Sequence, residues 1–342
     1  MKIFYIILFI SFSFTQPNLG SSSTLDVMTW NLEHFPKENN VTLEYVVNFL
    51  VASNIDVVAL QEIESRSYFE LLINLLNIED DTSIWIGFRA GGNSAMMELA
   101  YIIRTDEFSN ISEPFEIFHD EGYAFPREPY VISLDYDNES IIIMNNHLKC
   151  CDGYENEARR QLASNILQDY IEEVYPTNKV IVLGDLNDEI QESQQYNVFW
   201  NFIDDPDFFL FADMAIAEGS PLYWSYPSWP SHIDHILVSD ELFSKIGDVE
   251  TILYDEYIEG GWVWYDNFVS DHRPVFISII KDVIECDLND DGLTDVLDIV
   301  TMVDWILSDY TPTEQELEIG DLSGDDEIDI LDVVFLVPLI LG

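Results

Sequence analysis

The stretch VIVLGDLND, residues 180–188, sets the terms for the rest of the chain. Four consecutive aliphatic residues, Val180 to Leu183, read as a strand covered on both faces. The run breaks at Gly184 and at once presents Asp185, Asn187 and Asp188. In open α/β sheets ligands collect in the crevice beyond the carboxyl ends of strands, which places chemistry at this turn. Asp185 and Asn187, two apart at a strand end, aim a carboxylate and an amide at one spot. A strand-end Asp also serves as a turn former or helix cap, so the motif gains weight only from what aligns with it.

The chain of 342 residues is long enough for a large core plus a small extra domain. A hydrophobic content of 48% with 13% aromatics excludes a disordered chain despite a formal net charge of −52. That charge bears on solubility, salt and partners rather than on fold. It opposes long-range attraction to nucleic acid or anionic membrane, and it fits a protein that works in salt or carries divalent cations. Three cysteines (Cys150, Cys151 and Cys286) make no disulfide framework; a vicinal Cys150–Cys151 disulfide and free thiols both fit. The opening MKIFYIILFISFSFTQ gives one Lys and then about a dozen apolar residues, the length of a signal peptide. A membrane anchor needs about 20. The expectation is a secreted protein with residues 1–18 as signal peptide and no membrane span in the mature chain.

From Thr24 the pattern alternates. Strands are expected at 25–32, 56–63, 84–88, 100–104, 131–135, 140–147, 180–183, 233–239 and 274–280, with helices at 41–53, 68–76 and 157–174. So many strands with few helices predict an α/β architecture of two packed sheets with helices outside. After Lys281 no Lys or Arg occurs.

The tail carries one loop twice. Asp287, Asn289 and Asp291, with Gly292 at the sixth place, are followed by Asp298 at the twelfth; Asp321, Ser323 and Asp325 are followed by Asp332, also at the twelfth. The copies start 34 residues apart (321 − 287), and each runs into an apolar helix. Oxygen ligands at positions 1, 3, 5 and 12 of a loop follow the logic of a calcium site. A solvated acidic run would not repeat its spacing. The second copy departs from the pattern, with Asp326 where the turn prefers Gly. Paired loops of this kind resemble dockerin modules. The resemblance covers residues 286–342 and implies a small all-α module holding two Ca²⁺ that docks on a cohesin-type protein, or serves as a calcium-stabilised cap or a device for retention at the cell surface.

Polar residues also recur at the other predicted strand ends. Asn31 ends TWN, Glu62 ends DVVALQE, His147 ends IIIMNNH, Asp234 lies in SHIDHILVS, and Asp271 with His272 lies in SDHRPV. Carboxylates and amides around one crevice suit a hard divalent cation, and histidines that can meet a carboxylate suit proton transfer. Here the chain resembles the endonuclease/exonuclease/phosphatase superfamily of metal-dependent phosphoesterases. TWNLEHF, LQEIE, NNHLK, GDLND, HIDHILVS and SDHRPV follow the order of that family across residues 24–281.

The resemblance implies a four-layer αββα sandwich of two mixed sheets and a role for each motif. Glu62 with Asn31 would hold Mg²⁺ or Mn²⁺, and Asp271 would complete the metal neighbourhood. Asp185 and Asn187 would position the attacking water and a phosphate oxygen. His272, oriented by Asp234, would contact phosphate or move the proton, and His147 would be a second proton-transfer group with Glu98 as its orienting partner. Tyr101 and Arg127 would bind phosphate oxygens. The choice of general base between His272 and Asp185 stays open, since coupled groups share their titration.

The expected activity is an extracellular nuclease acting on DNA or RNA. The alternatives are a phospholipid (sphingomyelinase-like) or small phosphomonoester hydrolase and, from a different class, a non-catalytic cohesin-docking module. The net charge pulls against a polyanionic substrate. Arg104, Arg127, Lys149 and Arg273 flank the motifs and predict a locally positive cleft in a negative shell. His232 stands where many members of that family carry Arg before Ile-Asp.

Overall fold

The computed structural model describes residues 19–91, 97–137, 139–281, 286–289, 293–308, 310–325 and 327–341. The signal-peptide expectation and Asp291 therefore lie outside the described residues. The chain divides into two compact units, one ending at Ile280 and one covering Lys281–Gly342.

In the first unit one sheet takes β1 (Thr24–Phe35), β2 (Val57–Ile63), β3 (Trp85–Arg89) and β4 (Glu98–Arg104), completed by β12 (Ile246–Thr251) and β13 (Val275–Ile280), in the order β12-β13-β1-β2-β4-β3. The other takes β5 (Asn110–Ile111), β6 (Phe115–Glu116), β7 (Tyr130–Tyr136), β8 (Glu139–His147), β9 (Lys179–Asp185), β10 (Phe209–Phe211) and β11 (Asp234–Ser239), in the order β10-β11-β9-β8-β7-β5 with β6 beside β7. Both sheets are mixed: β1–β2 and β8–β9 pair in parallel, and the other pairs are antiparallel.

Side-chain alternation explains the layering. In β9, Ile181 and Leu183 join the apolar layer between the sheets, whereas Val180 and Val182 join the outer layer with Ala163 and Leu167 of α1 (Tyr154–Val174). In β1, Val27 lies between the sheets while Met28 and Trp30 share the opposite layer with Val46, Leu50, Leu72 and Leu76 from the helices Asn40–Ser53 and Arg66–Glu79. The order is helix, sheet, sheet, helix, the expected two-sheet sandwich. Each aliphatic side chain so enclosed contributes roughly 1.5–3 kcal/mol against the entropy of ordering it.

A pair of carboxyls is buried beside the start of β1 and β2. The Asp26 N–H donates to Asp56 Oδ2 at 2.9 Å, and Arg104 Nη1 stands 3.8 Å from Asp56 Oδ1. Burial pushes Asp56 up to about 8 and Asp26 up to about 6. Both folded values lie above the ordinary carboxyl range, so the folded state holds protons that the unfolded chain has lost. This contribution to stability is complete below about pH 4 and is lost as pH rises through 6 and 8. The urea midpoint is expected to fall between about pH 5 and 8 and to fall less in Asp56→Asn; equal slopes would contradict this account.

The second unit has helices at Val296–Ser308, Glu314–Gly320 and Ile330–Leu341 around Leu288, Met302 and Leu336, with Cys286 also buried. Its two loops use one device. Asp298 Oδ1 accepts from the N–H groups of Leu288 (2.8 Å) and Asn289 (3.2 Å), and Oδ2 from Asp295 (2.7 Å). Asp332 Oδ1 accepts from Ser323 (2.8 Å) and Oδ2 from Asp329 (2.7 Å). Among the described residues no helix is long and apolar enough to cross a membrane.

Candidate active site

The strand pairing brings the polar residues of both sheets to one edge. On β9, Asp185 stands directly opposite His147 of β8 on one side and Asp234 of β11 on the other. In the facing sheet Asn31 pairs across from Gln61, one residue before Glu62. Register then breaks in both strands, between Asn31 and Phe35 and between Leu60 and Ile63. Glu33, His34, Glu62 and Asn187 all hold positive φ (38°, 56°, 61° and 58°). Such conformations cost non-glycine residues roughly 1–3 kcal/mol each and persist where the surroundings over-determine them. The bulges re-aim side chains at the sheet edge.

Asp185 is the hub. Its Oδ2 accepts from Asn31 Nδ2 at 2.9 Å and lies 3.4 Å from His147 Nε2 and 3.9 Å from His272 Nε2; its Oδ1 accepts from the Asn187 N–H at 3.1 Å. Glu62 Oε1 lies 3.4 Å from Asn31 Nδ2 and 3.8 Å from His147 Nε2, and Oε2 accepts from the His34 N–H at 3.0 Å. His272 Nδ1 meets Asp234 Oδ2 at 2.7 Å, and Asp271 Oδ1 is 3.8 Å from His272 Nε2. Seven of the residues singled out from sequence (Asn31, Glu62, His147, Asp185, Asp234, Asp271 and His272) therefore share one centre. Asn187 sits at its rim, donating from Nδ2 to the Leu148 carbonyl at 3.3 Å, and Arg127 Nη1 donates to that carbonyl at 3.4 Å.

The electrostatics differentiate these groups. Burial alone would lower His272, but the carboxylates of Asp234, Asp185 and Asp271 outweigh it and raise the imidazole to about 10. Burial raises Asp185 to about 7, aided by Asp234 and Glu62 and opposed by His272 and the Asn31 amide. Burial, with Arg127 and His272 nearby, holds His147 well below the ordinary histidine value.

Several expectations need correction. Tyr101 is wholly buried between the sheets; its hydroxyl lies 2.7 and 2.9 Å from the Tyr130 and Ile143 carbonyls and accepts from the Asn145 N–H at 2.9 Å. It is a cross-sheet tie with no reach to a phosphate oxygen. Tyr101→Phe should cost about 1–3 kcal/mol in urea unfolding with turnover nearly unchanged, since it strands a buried N–H. A lost turnover at unchanged stability would restore a phosphate role. Glu98 is buried but makes no hydrogen bond to His147, whose Nδ1 has no partner among the described residues. The positive cleft is also thinner than expected. Arg273 is held by both carboxylate oxygens of Asp255 at 2.8 Å, Arg104 bonds Ser83 and Asn54, and Lys149 turns to Cys150, so that of the four it is Arg127 whose charge acts on His147.

Sequence reasoning missed three contributors. Ser270 Oγ donates to the Asn31 carbonyl (2.6 Å) and accepts from the His272 N–H (3.0 Å), fixing the loop before β13 against β1. Tyr226 lays its ring 4.8 Å from that of His272. Asp213 binds His232 (3.0 Å) and His235 (2.6 Å) in a fully buried cluster. Only Ser270 had a signal, its place next to Asp271 and His272.

Two sets of three metal-ligating side chains occur among the described residues, Asp185 with Asp234 and His272, and Asp213 with His232 and His235. In the second set every ring nitrogen already has a partner, the remaining ones being the Ser225 N–H and the Asp188 carbonyl. The first belongs to the centre just described, where Asp234 Oδ1 is buried and accepts no hydrogen bond from the described residues.

A model of the Endonuclease/Exonuclease/phosphatase family matches residues 28–272. No curated protein matches the sequence significantly. Among solved structures, the chain is similar to truncated Caenorhabditis elegans TDP2 (16% identity, TM-score 0.56, 75% of this chain and 97% of that one). It is also similar to the 3' phosphatase NExo from Neisseria bound to a product DNA hairpin (20%, 0.54, 75% and 99%) and to the human Nocturnin catalytic domain with bound sulfate (17%, 0.55, 75% and 93%). At these identities the likeness is one of fold.

Proposed function

Because the chain belongs to the endonuclease/exonuclease/phosphatase family, we propose that its first unit is a divalent-metal-dependent phosphoesterase, and specifically an extracellular nuclease that hydrolyses phosphodiester bonds of DNA or RNA. The observation that carries the reading is the meeting of Asn31 and Glu62 from one sheet with His147, Asp185 and Asp234 from the other around the Asp185 carboxylate.

The residues fit a hard cation. Glu62, Asp185, Asp234 and Asp271 outnumber the one imidazolium among them, and a buried Asp234 oxygen accepts no hydrogen bond from the described residues. An oxygen-rich, net-negative pocket selects Mg²⁺ or Mn²⁺ over soft metals. Glu62 with Asn31, and Asp271 beside His272, would hold the ion, which when bound offsets charge on the phosphoryl oxygens during attack.

The chain's own groups supply the proton movements. Asp185, positioned by Asn31 and the Asn187 N–H, takes the proton of the attacking water. His272, held as an imidazolium by Asp234, gives a proton to the leaving oxygen. The proton then returns from Asp185 to His272, whose Nε2 lies 3.9 Å from Oδ2, by way of a bridging water. Neutral His147 offers a hydrogen bond to a non-bridging oxygen.

Nucleic acid as substrate is supported by neighbours of the same fold whose structures hold DNA products. The second unit would hold two Ca²⁺, through Asp287, Asn289, Asp291 and Asp298 and through Asp321, Ser323, Asp325 and Asp332, and present its helices to a cohesin-type protein. The support is a loop device repeated at the same offset in both copies. Export rests on the apolar run at the N-terminus.

Incubating the protein with DNA, RNA, sphingomyelin and nucleoside monophosphates, with Mg²⁺, Mn²⁺ or Ca²⁺ against chelator, tests the proposal. Metal-restored cleavage of DNA or RNA is the expected result. Cleavage of sphingomyelin or monophosphates alone would reassign the substrate, and no hydrolysis of any would overturn the enzyme.

A further inference from the structure

We propose that Cys150 and Cys151 form a redox-modification site: a vicinal dithiol that a small-molecule disulfide converts into an internal disulfide, with the change carried to the adjoining active site. The two follow the catalytic strand β8 after only Leu148 and Lys149. Their Sγ atoms face each other at 2.7 Å; Cys151 is exposed and Cys150 half-buried, so an oxidant in solution can reach them. Lys149 places its ammonium 3.4 Å from Cys150 Sγ. Burial raises Cys150, but the Cys151 thiol hydrogen bond and the charges of Lys149 and Arg127 outweigh it and bring Cys150 below an ordinary thiol, whereas Cys151 is pushed up, chiefly by its bond to Cys150. That asymmetry divides the labour, Cys150 attacking and Cys151 resolving.

The loop is tied to catalytic backbone on both sides. Arg160 Nη1 donates to the carbonyls of Lys149 (2.7 Å) and Cys151 (3.1 Å), while its Nε donates to Asp188 (2.7 Å) in the turn after β9. Asn187 and Arg127 both donate to the Leu148 carbonyl. Cys151 itself sits at φ 77°, a region an L-residue leaves readily. Closing a ring between adjacent cysteines constrains the peptide joining them. The carbonyls on either side of it, Lys149 and Cys151, hold Arg160 and through it Asp188, and the Leu148 carbonyl that holds Asn187 and Arg127 is the next one upstream.

The chemistry is thiol–disulfide exchange. Cys150 thiolate attacks one sulfur of a low-molecular-weight disulfide RSSR, forming a mixed disulfide and expelling RS⁻. Cys151, its proton passing to RS⁻, then attacks Cys150 Sγ and expels the second RS⁻, which takes up the proton released from Cys150. Two protein thiols are oxidised, RSSR is reduced to two RSH, and no other reactant is needed.

The test treats the full chain with oxidised glutathione and reads intact mass, thiol alkylation and turnover. The expected product has lost two hydrogens, carries no glutathione, and keeps one alkylatable thiol, the buried Cys286, after denaturation. Turnover should fall about tenfold, as small displacements of positioning groups do, and dithiothreitol should restore it. Cys151→Ser should stop at a glutathione adduct on Cys150, and the double variant Cys150→Ser with Cys151→Ser should be insensitive to the oxidant. Absence of reaction, separate adducts on both cysteines, or equal turnover of oxidised and reduced chains would overturn the proposal. The activity readout rests on the nuclease reading, whereas mass and alkylation do not, so a chain that hydrolyses no phosphoester still decides whether the dithiol closes.

Discussion

Replacing His272 by glutamine is expected to lower phosphodiester turnover by about three orders of magnitude while the chain stays folded. His272 is where the two sheets' charges meet: Asp234 at 2.7 Å, Asp271 at 3.8 Å and Asp185 at 3.9 Å. Glutamine keeps an N–H donor toward Asp234, so the buried carboxylate is not left alone, a loss that would cost about 3–5 kcal/mol. What it cannot do is carry a proton. Asp234→Asn removes the partner that raises the imidazole and should cost about 100-fold by the same reasoning. Thermal unfolding measured alongside kcat separates chemistry from collapse. If His272→Gln keeps more than about a tenth of wild-type turnover, proton donation from this residue is wrong.

Calcium removal should have the other large effect, confined to the second unit. After Lys281 the chain has no cation of its own, yet its loops draw Asp298 and Asp332 fully into the interior as caps on loop N–H groups. Neighbouring acidic side chains then repel with nothing in the sequence to offset them. Limited proteolysis of the full chain in chelator should cut within residues 281–342 and leave the unit ending at Ile280 intact, with calcium restoring protection. Asp298→Ala and Asp332→Ala should each leave the segment cleavable even with calcium present. A digestion pattern indifferent to calcium and chelator would refute the metal loops.

The sequence shows the architecture wherever burial is two-sided. β9 is a nearly unbroken apolar run because it feeds two hydrophobic layers, and its end marks the edge where polar residues gather. Strand β12 was invisible because its sequence, IGDVET, carries a Gly and three acidic or hydroxyl side chains, and only Ile246 and Val249 face the inter-sheet layer. The helix Gly261–Phe268 opens on Gly261 after Gly260, both at positive φ, with no side-chain cap to announce it. The site was legible as motifs but not as geometry. Tyr101 and the centre's residues look alike in sequence and share the inward parity of their strands; only its place in the middle of β4, not at a strand end, keeps Tyr101 between the sheets and away from the edge. Arg273 looked like a free cation because its partner, Asp255, comes from a distant loop.

Beneath the catalytic edge, Gln61 donates to Asn145 at 2.8 Å, and Asn145 donates in turn to the carbonyls of Leu60 (3.0 Å) and Ala100 (3.1 Å), fastening one sheet to the other. The reaction centre straddles that seam, drawing half of its groups from each side. Neither half-chain can therefore hold a rudimentary version of the activity, and sliding one layer past its neighbour by a fraction of a residue would disband the centre while both layers kept their own strand pairing. Catalysis thus serves as a gauge of how the layers are aligned, and should vanish in partly unfolded states that still look native by their strand content.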